Sequence, residues 1–203
     1  RVLFRSPPAS PINDAPVIAD AGGTLAYSEG DGVQVIDSTL TLTDVDDTHI
    51  ESATITISGG FVDTEDELFF TDTANIIGSW EALSGTLTLT GTDTKAAYEA
   101  ALESITYKNL DTDNPTGGDR AVSWTVNDGD LDSVAATSTI TVTPVNDSPE
   151  IADAGDTLAY SEGDAPQLID ATLTLNDVDD TNLESATISI SGGYENGEDV
   201  LSF

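Results

Sequence analysis

At 203 residues the chain has room for one large domain or for one and a half modest ones, and it carries 38 acidic against 5 basic side chains, a formal net charge of −33. That balance argues against nucleic acid, whose phosphates demand Lys and Arg, and against anionic membrane surfaces; it calls for divalent cations or high salt. Cysteine is absent, so disulfides and thiol chemistry are excluded. No apolar run approaches the ~18 residues of a membrane span.

In chain order, the first stretch is foreign to the rest. Asn13-Asp14-Ala15-Pro16 returns as Asn146-Asp147-Ser148-Pro149, an offset of 133, and 41 of the 58 positions in 13–70 are identical in 146–203. Residues 1–10 do not match 134–143, and they hold Arg1 and Arg5, two of the five basic residues. The repeat therefore predicts a non-repeat leader at 1–11 (a junction, tag or assembly artefact), a complete repeat at 12–144 and a truncated second repeat at 145–203.

Within the first repeat, alternation dominates. Thr39–Thr43, Ala53–Ser58, Thr86–Thr90, Ala121–Val126 and Ser138–Thr143 each put apolar residues on one face and mostly Thr, Ser or Ala on the other. That period marks half-buried antiparallel strands, with Val122, Trp124 and Val126 sharing a buried face. Gly59-Gly60, Ser84-Gly85, Gly117-Gly118 and Asp128-Gly129 read as turns between them. One segment departs: Thr94–Glu103 is Ala-rich, with Tyr98, Ala101 and Leu102 at helical spacing and Asp93 or Thr94 as N-cap, followed by a strand over 104–107. About eight short strands and one short helix predict an all-β fold, a tandemly repeated Greek-key β-sandwich.

Of the 38 acids, 26 are Asp and 12 are Glu, and they cluster where strands end. With the strands of the first repeat lettered A to G, Asn13 and Asp14 open strand A and Glu29 sits in the A–B connection. Asp44 and Asp46 fall in the B–C loop, and Asp128 in the F–G loop. In a Greek-key sandwich the B–C and F–G loops lie at the end where the chain enters, and the A–B connection lies at the other. Asn13, Asp14, Asp44, Asp46 and Asp128 are thus expected at an upstream junction. Glu29 is expected at an internal junction with Asn146, Asp147, Asp177 and Asp179, and Glu162 recurs as the counterpart of Glu29. Such oxygen-only sets suit Ca2+, which takes six to eight oxygens at about 2.3–2.6 Å.

Val126-Asn127-Asp128-Gly129, the run Val134–Val142 and then Pro144-Val145-Asn146-Asp147-Ser148-Pro149 resemble the end of a cadherin-type repeat, whose last strand runs into an Asx-rich linker. More narrowly, the Val-Asn-Asp-x-Pro linker and the Asp-Val-Asp…Ser-Ala-Thr-Ile…Gly-Gly stretch resemble the cadherin-like repeats of very large secreted, RTX-type bacterial surface adhesins. The resemblance covers nearly all of 12–203. It implies a cadherin- or immunoglobulin-like sandwich, Ca2+ at the junctions stiffening tandem domains into rods, neighbouring repeats as partners, an extracellular or cell-surface location, and a part in cell adhesion. It carries Glu29, the Asp44-Val45-Asp46 pair and Asp128 over as metal-binding positions. The Asp-Arg-Glu motif of animal cadherins has no counterpart before strand F, where Asp119-Arg120 stands.

Competing chemistries fail on spacing. An EF-hand starting at Asp44 needs Gly at His49 and Glu at Ile55; one starting at Asp128 needs Gly at Ser133 and Glu at Thr139. There is no phosphate-binding Gly loop and no Gly-Gly-x-Gly-x-Asp nonapeptide. His49, the lone histidine, reads as a loop residue. Carboxylate pairs such as Glu65-Asp66 suit glycosidase chemistry in form, but pairs are common among so many acids, and the chain reads as no enzyme. The alternative function is a carbohydrate- or protein-binding module of a larger exported protein, with Trp80 as the candidate stacking residue.

Overall fold

A computed structural model describes residues 12–203, so the predicted leader at 1–11 lies outside the described residues. The chain divides into two compact units between Val145 and Asn146.

In the first unit, β5 (His49–Gly59) lies at the middle of a sheet. Its inward positions Ile50, Ala53, Ile55 and Ile57 are buried, and the intervening Thr and Ser face outward. On one side it pairs antiparallel with β10 (Gly118–Asn127), on the other with β8 (Thr86–Thr94). The sheet is completed by β11 (Ala136–Thr143) next to β10, by β2 (Thr24–Ser28) at one edge and by β7 (Ile77–Glu81) at the other. A three-stranded sheet of β3 (Gln34–Val35), β9 (Thr106–Asn109) and β6 (Asp66–Phe69) and a pair of β1 (Val17–Ala19) with β4 (Thr41–Thr43) supply the rest of the β-structure. Their inward residues, Ile18, Leu42, Leu68 and Tyr107, join Leu87, Leu89, Val122, Trp124 and Ile140 in one apolar core. The fold is an all-β sandwich.

The helix α1 (Lys95–Glu103) starts where the sequence places it. Thr94 is the N-cap, its hydroxyl accepting from the Ala97 amide at 3.2 Å, and Tyr98, Ala101 and Leu102 form the buried stripe. The Glu99 carboxylate accepts from the Leu42 amide at 2.7 Å, which ties the helix to β4.

One strand pairing differs from the antiparallel expectation: β2 runs parallel to β11, with Thr24 opposite Thr139 and Ser28 opposite Thr143. The cause is a break in the leading strand. Asp20 adopts φ 58° and Gly22 φ 129°, so the chain leaves β4 after β1 and crosses to the large sheet. A buried carboxylate holds this crossover: Asp37 accepts from the Gly22 and Gly23 amides, from the Thr39 amide and hydroxyl, and from the Ser138 hydroxyl at 2.7 Å. Ser138 in turn accepts from the Trp124 indole at 3.1 Å, so the largest core side chain is wired to the crossover. Burial pushes the Asp37 carboxyl up, but the donors from Thr39, Ser138 and Gly23 outweigh it and hold it below its ordinary value.

A second polar group lies inside the sandwich. Arg120 on β10 is 2 % exposed; its Nε donates to Asp66 at 2.9 Å and its guanidinium also donates to the Thr116 carbonyl at 2.7 Å. Glu65 lies 3.8 Å from the same guanidinium and accepts from the Thr116 amide and hydroxyl. The Tyr107 hydroxyl donates to Asp66 at 2.6 Å, and burial with this bond pushes the phenol well up. The Glu65-Asp66 pair is thus committed to internal partners.

The second unit repeats the local features of the first. β12 (Glu150–Ala152) pairs with β13 (Thr174–Asn176) in the register of β1 with β4, Asp153 adopts φ 55°, and Asp170 accepts from the Gly155 and Asp156 amides. Its apolar side chains are not covered: Ile188, Tyr160 and Leu175 are 72, 58 and 50 % exposed, where their counterparts Ile55, Tyr27 and Leu42 are 0, 1 and 6 % exposed.

Candidate metal centre

Two loops and the incoming chain meet at one end of the first unit. The β4–β5 loop is shaped by Asp44, whose Oδ1 accepts from the amides of Asp46 at 3.1 Å and Asp47 at 2.9 Å. This is the local side-chain-to-backbone turn that Asp favours. The β10–β11 loop is shaped the same way by Asp128, whose Oδ1 accepts from the Asp130 and Leu131 amides at 2.8 and 2.7 Å. The helix fixes the first loop from behind: Lys95 donates its Nζ to the Asp44 carbonyl at 2.5 Å and its amide to the Thr48 carbonyl at 3.2 Å.

These turns bring three carboxylates together. Asp44, Asp47 and Asp128, all half-buried, each offer an oxygen within 4.8 Å of the others; among the described residues this is the group of acids that could hold a metal ion. The second oxygen of Asp44, Oδ2, is buried and has no hydrogen-bond partner. A buried carboxylate oxygen without a donor is costly unless a cation serves it, so the donor set fits a hard, oxygen-seeking ion. Electrostatics agree in direction. Desolvation and then the charges of Asp44, Asp128, Asp46 and Asp130 push the Asp47 carboxyl up. At Asp128 burial acts upward too, yet the Leu131 amide, the Asn13 side chain and the Asp130 amide outweigh it and hold the group down. The cluster contains net negative charge that its own hydrogen bonds leave partly uncompensated.

The sequence-predicted residues fall around this point as follows. Asn13 donates its Nδ2 to Asp128 Oδ2 at 3.0 Å, and the Asp14 amide donates to both Asp46 oxygens at 3.2–3.3 Å. Asn13, Asp14, Asp44, Asp46 and Asp128 are therefore at one end, but the exposed Asp46 carboxylate faces the Asp14 amide, and Asp47 takes the place beside Asp44 and Asp128. The Asp-x-Asp spacing directs attention to Asp46; the turn closed by Asp44 Oδ1 is what swings the next residue inward. Glu51, an outward position at the start of β5, is not one of the three grouped acids. Its carboxylate lies against the β10–β11 loop, where a Cβ on Gly129 would stand 2.9 Å from it.

Glu29 is elsewhere: its amide donates to the Thr143 carbonyl at 3.0 Å and its Oε2 accepts from the Val145 amide at 2.8 Å, at the end of the unit where the chain leaves. In the second unit Asp177 shapes its loop as Asp44 does, accepting from the Asp179 and Asp180 amides, and the Asp147 amide donates to Asp179. Asn146 donates to the Asp147 carbonyl at 2.6 Å, and Glu162 is exposed. Trp80, the candidate stacking residue, is half-buried: it sits opposite the buried Leu87 and packs edge-on against Phe61 at 6.4 Å.

No family model matches the chain. Over 123 residues, 58 % of its length, it is 32 % identical to Halomucin of Haloquadratum walsbyi, and it covers 1 % of that protein. The chain is thus similar to one short stretch of a very long polypeptide.

Proposed function

We propose that this chain is a structural extender module of a large extracellular, cell-surface protein, in which Ca2+ held by strand-end carboxylates stiffens the repeats and so supports adhesion. The observation that carries the reading is the convergence of Asp44, Asp47 and Asp128 around a buried Asp44 oxygen that no protein donor serves. The internal repeat and the similarity to a small part of a very long protein support an arrayed module. The partners on this reading are neighbouring repeats of the same polypeptide.

Extracellular calcium modules bind with Kd on the order of 10⁻⁴–10⁻³ M. At tenfold excess a site then adds about 1.4 kcal/mol. The test is calorimetric titration and thermal melting of the 203-residue chain in Ca2+ and in chelator, at matched ionic strength so that screening of the −33 charge is held constant. Calcium should raise the melting point of the first unit, and Asp44→Asn with Asp128→Asn should remove the rise. Equal melting in Ca2+ and chelator, or a rise that survives the double substitution, would overturn the proposal.

A further inference from the structure

One turn is built alike in both repeats but carries different chemistry in the second. There the Glu195 carbonyl accepts from the Glu198 and Asp199 amides, both at 3.1 Å, as the Val62 carbonyl accepts from the Glu65 and Asp66 amides at 3.1 and 2.9 Å in the first unit. Asp199 closes the loop by accepting from the Glu195 amide at 2.8 Å, as Asp66 does from the Val62 amide at 2.7 Å. The two central positions are exposed in both units, Asp63 and Thr64 in the first and Asn196 and Gly197 in the second. Their accessibility therefore belongs to the turn itself and holds in a repeat with a covered core.

Of the nine asparagines, Asn196 alone is followed by glycine. A side-chain amide is open to attack by the next residue's main-chain nitrogen when that nitrogen is unencumbered, and glycine has no side chain to hinder the approach. Gly197 has φ +96°, nothing lies within 4 Å of where a Cβ would stand, and among the described residues its amide has no acceptor. The Tyr194 hydroxyl donates at 3.4 Å to the Asn196 side-chain oxygen, which draws electrons from the carbon to be attacked. The first unit has Phe61, Asp63 and Thr64 at these places, and so lacks the phenol, the amide and the unhindered nitrogen. Asp128-Gly129 offers a carboxylate, a poorer electrophile, and its Gly129 amide is already held by the Asn127 side chain at 2.7 Å.

We propose that Asn196-Gly197 is a self-modification site, at which the folded turn sheds ammonia and gains a carboxylate. The Gly197 nitrogen forms a bond to Asn196 Cγ, the Cγ–Nδ2 bond breaks, and ammonia leaves with the proton from the Gly197 amide, giving a five-membered imide. Water then opens the imide at either carbonyl, with no change of oxidation state. Opening at Cγ leaves an aspartyl residue at 196, the residue type that stands at Asp63, so the turn is kept. Opening at the main-chain carbonyl leaves an isoaspartyl linkage, whose extra backbone methylene pulls the Glu198 and Asp199 amides away from the Glu195 carbonyl. Either product adds one negative charge beside Glu195, Glu198 and Asp199.

The experiment incubates the 203-residue chain in mildly alkaline buffer and follows each asparagine by peptide mass spectrometry, with fragmentation that separates aspartyl from isoaspartyl forms. The native chain is compared with Gly197→Thr, which restores the residue type of the first unit, with Tyr194→Phe, and with the native chain in urea. Asn196 should convert to both forms, faster as pH rises, while the other eight asparagines keep their amides. Gly197→Thr should abolish the conversion and Tyr194→Phe should slow it. Retention of the Asn196 amide, an aspartyl product without isoaspartyl, equal conversion in Gly197→Thr, or conversion in urea alone would overturn the site. Equal rates in the native chain and Tyr194→Phe would refute the role of the phenol.

Discussion

Replacing Arg120 tests whether the sandwich depends on its internal ion pair. In Arg120→Met the apolar stem is approximately kept, while Asp66 loses the 2.9 Å Nε donor and the Thr116 carbonyl loses its 2.7 Å partner. Asp66 is 2 % exposed and cannot turn to water; it retains the Val62 amide, the Tyr107 hydroxyl and, at 3.4 Å, the Asn109 side-chain amide. Removing one partner of a buried pair typically costs about 3–5 kcal/mol, most of it the penalty on the charge left behind. A unit of this size has an unfolding entropy near 0.28 kcal/mol/K, so the cost corresponds to a melting point lower by about 11–18 °C. The assay is a denaturant or thermal melt of Arg120→Met, Asp66→Leu and the double variant. The double variant should be less destabilised than the sum of the singles, because it removes the stranded charge with its partner. A cost below about 1 kcal/mol for Arg120→Met, or simple additivity, would refute the argument that the pair is desolvated and coupled.

Three further outcomes follow from other sites. The Asp37 carboxyl is held below its ordinary value, so its contribution is complete above the ordinary carboxylate range and is lost as pH falls through the folded value. The stability gap between the native chain and Asp37→Asn, read by urea melts, should therefore be largest near neutrality and close toward low pH. Gly91 has φ +121°, and a Cβ there would stand 1.9 Å from the Asn75 carbonyl oxygen; Gly91→Ala should cost several kcal/mol or prevent folding, whereas Gly32→Ala, with open space around it, should shift a melt by roughly 0.5 kcal/mol or less. Raising NaCl from about 0.01 to about 1 M shortens the Debye length from roughly 30 to 3 Å, so the melting point of this −33 chain should rise even in chelator; an unchanged value would mean the acids do not repel across the surface.

The elements legible in the sequence are those that local chemistry encodes. Period-2 runs located the interior of β5, β8, β10 and β11, and the Thr94 cap with its apolar stripe located α1. The second unit shows the same division physically: its Asp153 turn, its Asp170 and Asp177 clasps and the Tyr160–Asp164 bond form without a covered core, because each is a contact over about twenty residues or fewer. Pairings over long separations left no such mark. The parallel β2–β11 edge joins residues about 115 apart, and Arg120 meets Asp66 across 54. Lys95 is read as a helix residue, and nothing in its neighbours announces that it reaches the Asp44 carbonyl.

The same distinction explains how the candidate metal centre is built. Asp44 divides its two oxygens between jobs: Oδ1 closes the loop through the Asp46 and Asp47 amides, and Oδ2 is left buried and unserved. Asp128 makes the same division, but its Oδ2 accepts from Asn13. The loop-closing oxygens are encoded locally and recur at Asp177 in the second unit. Closing the loops fixes where the remaining oxygens point, so the strand ends need no long-range design beyond being at the same end of the sandwich. A short Asp does both at once, whereas Glu, one methylene longer, fits such a turn less well. That is a physical reason for 26 Asp against 12 Glu in a chain whose acids gather at strand ends.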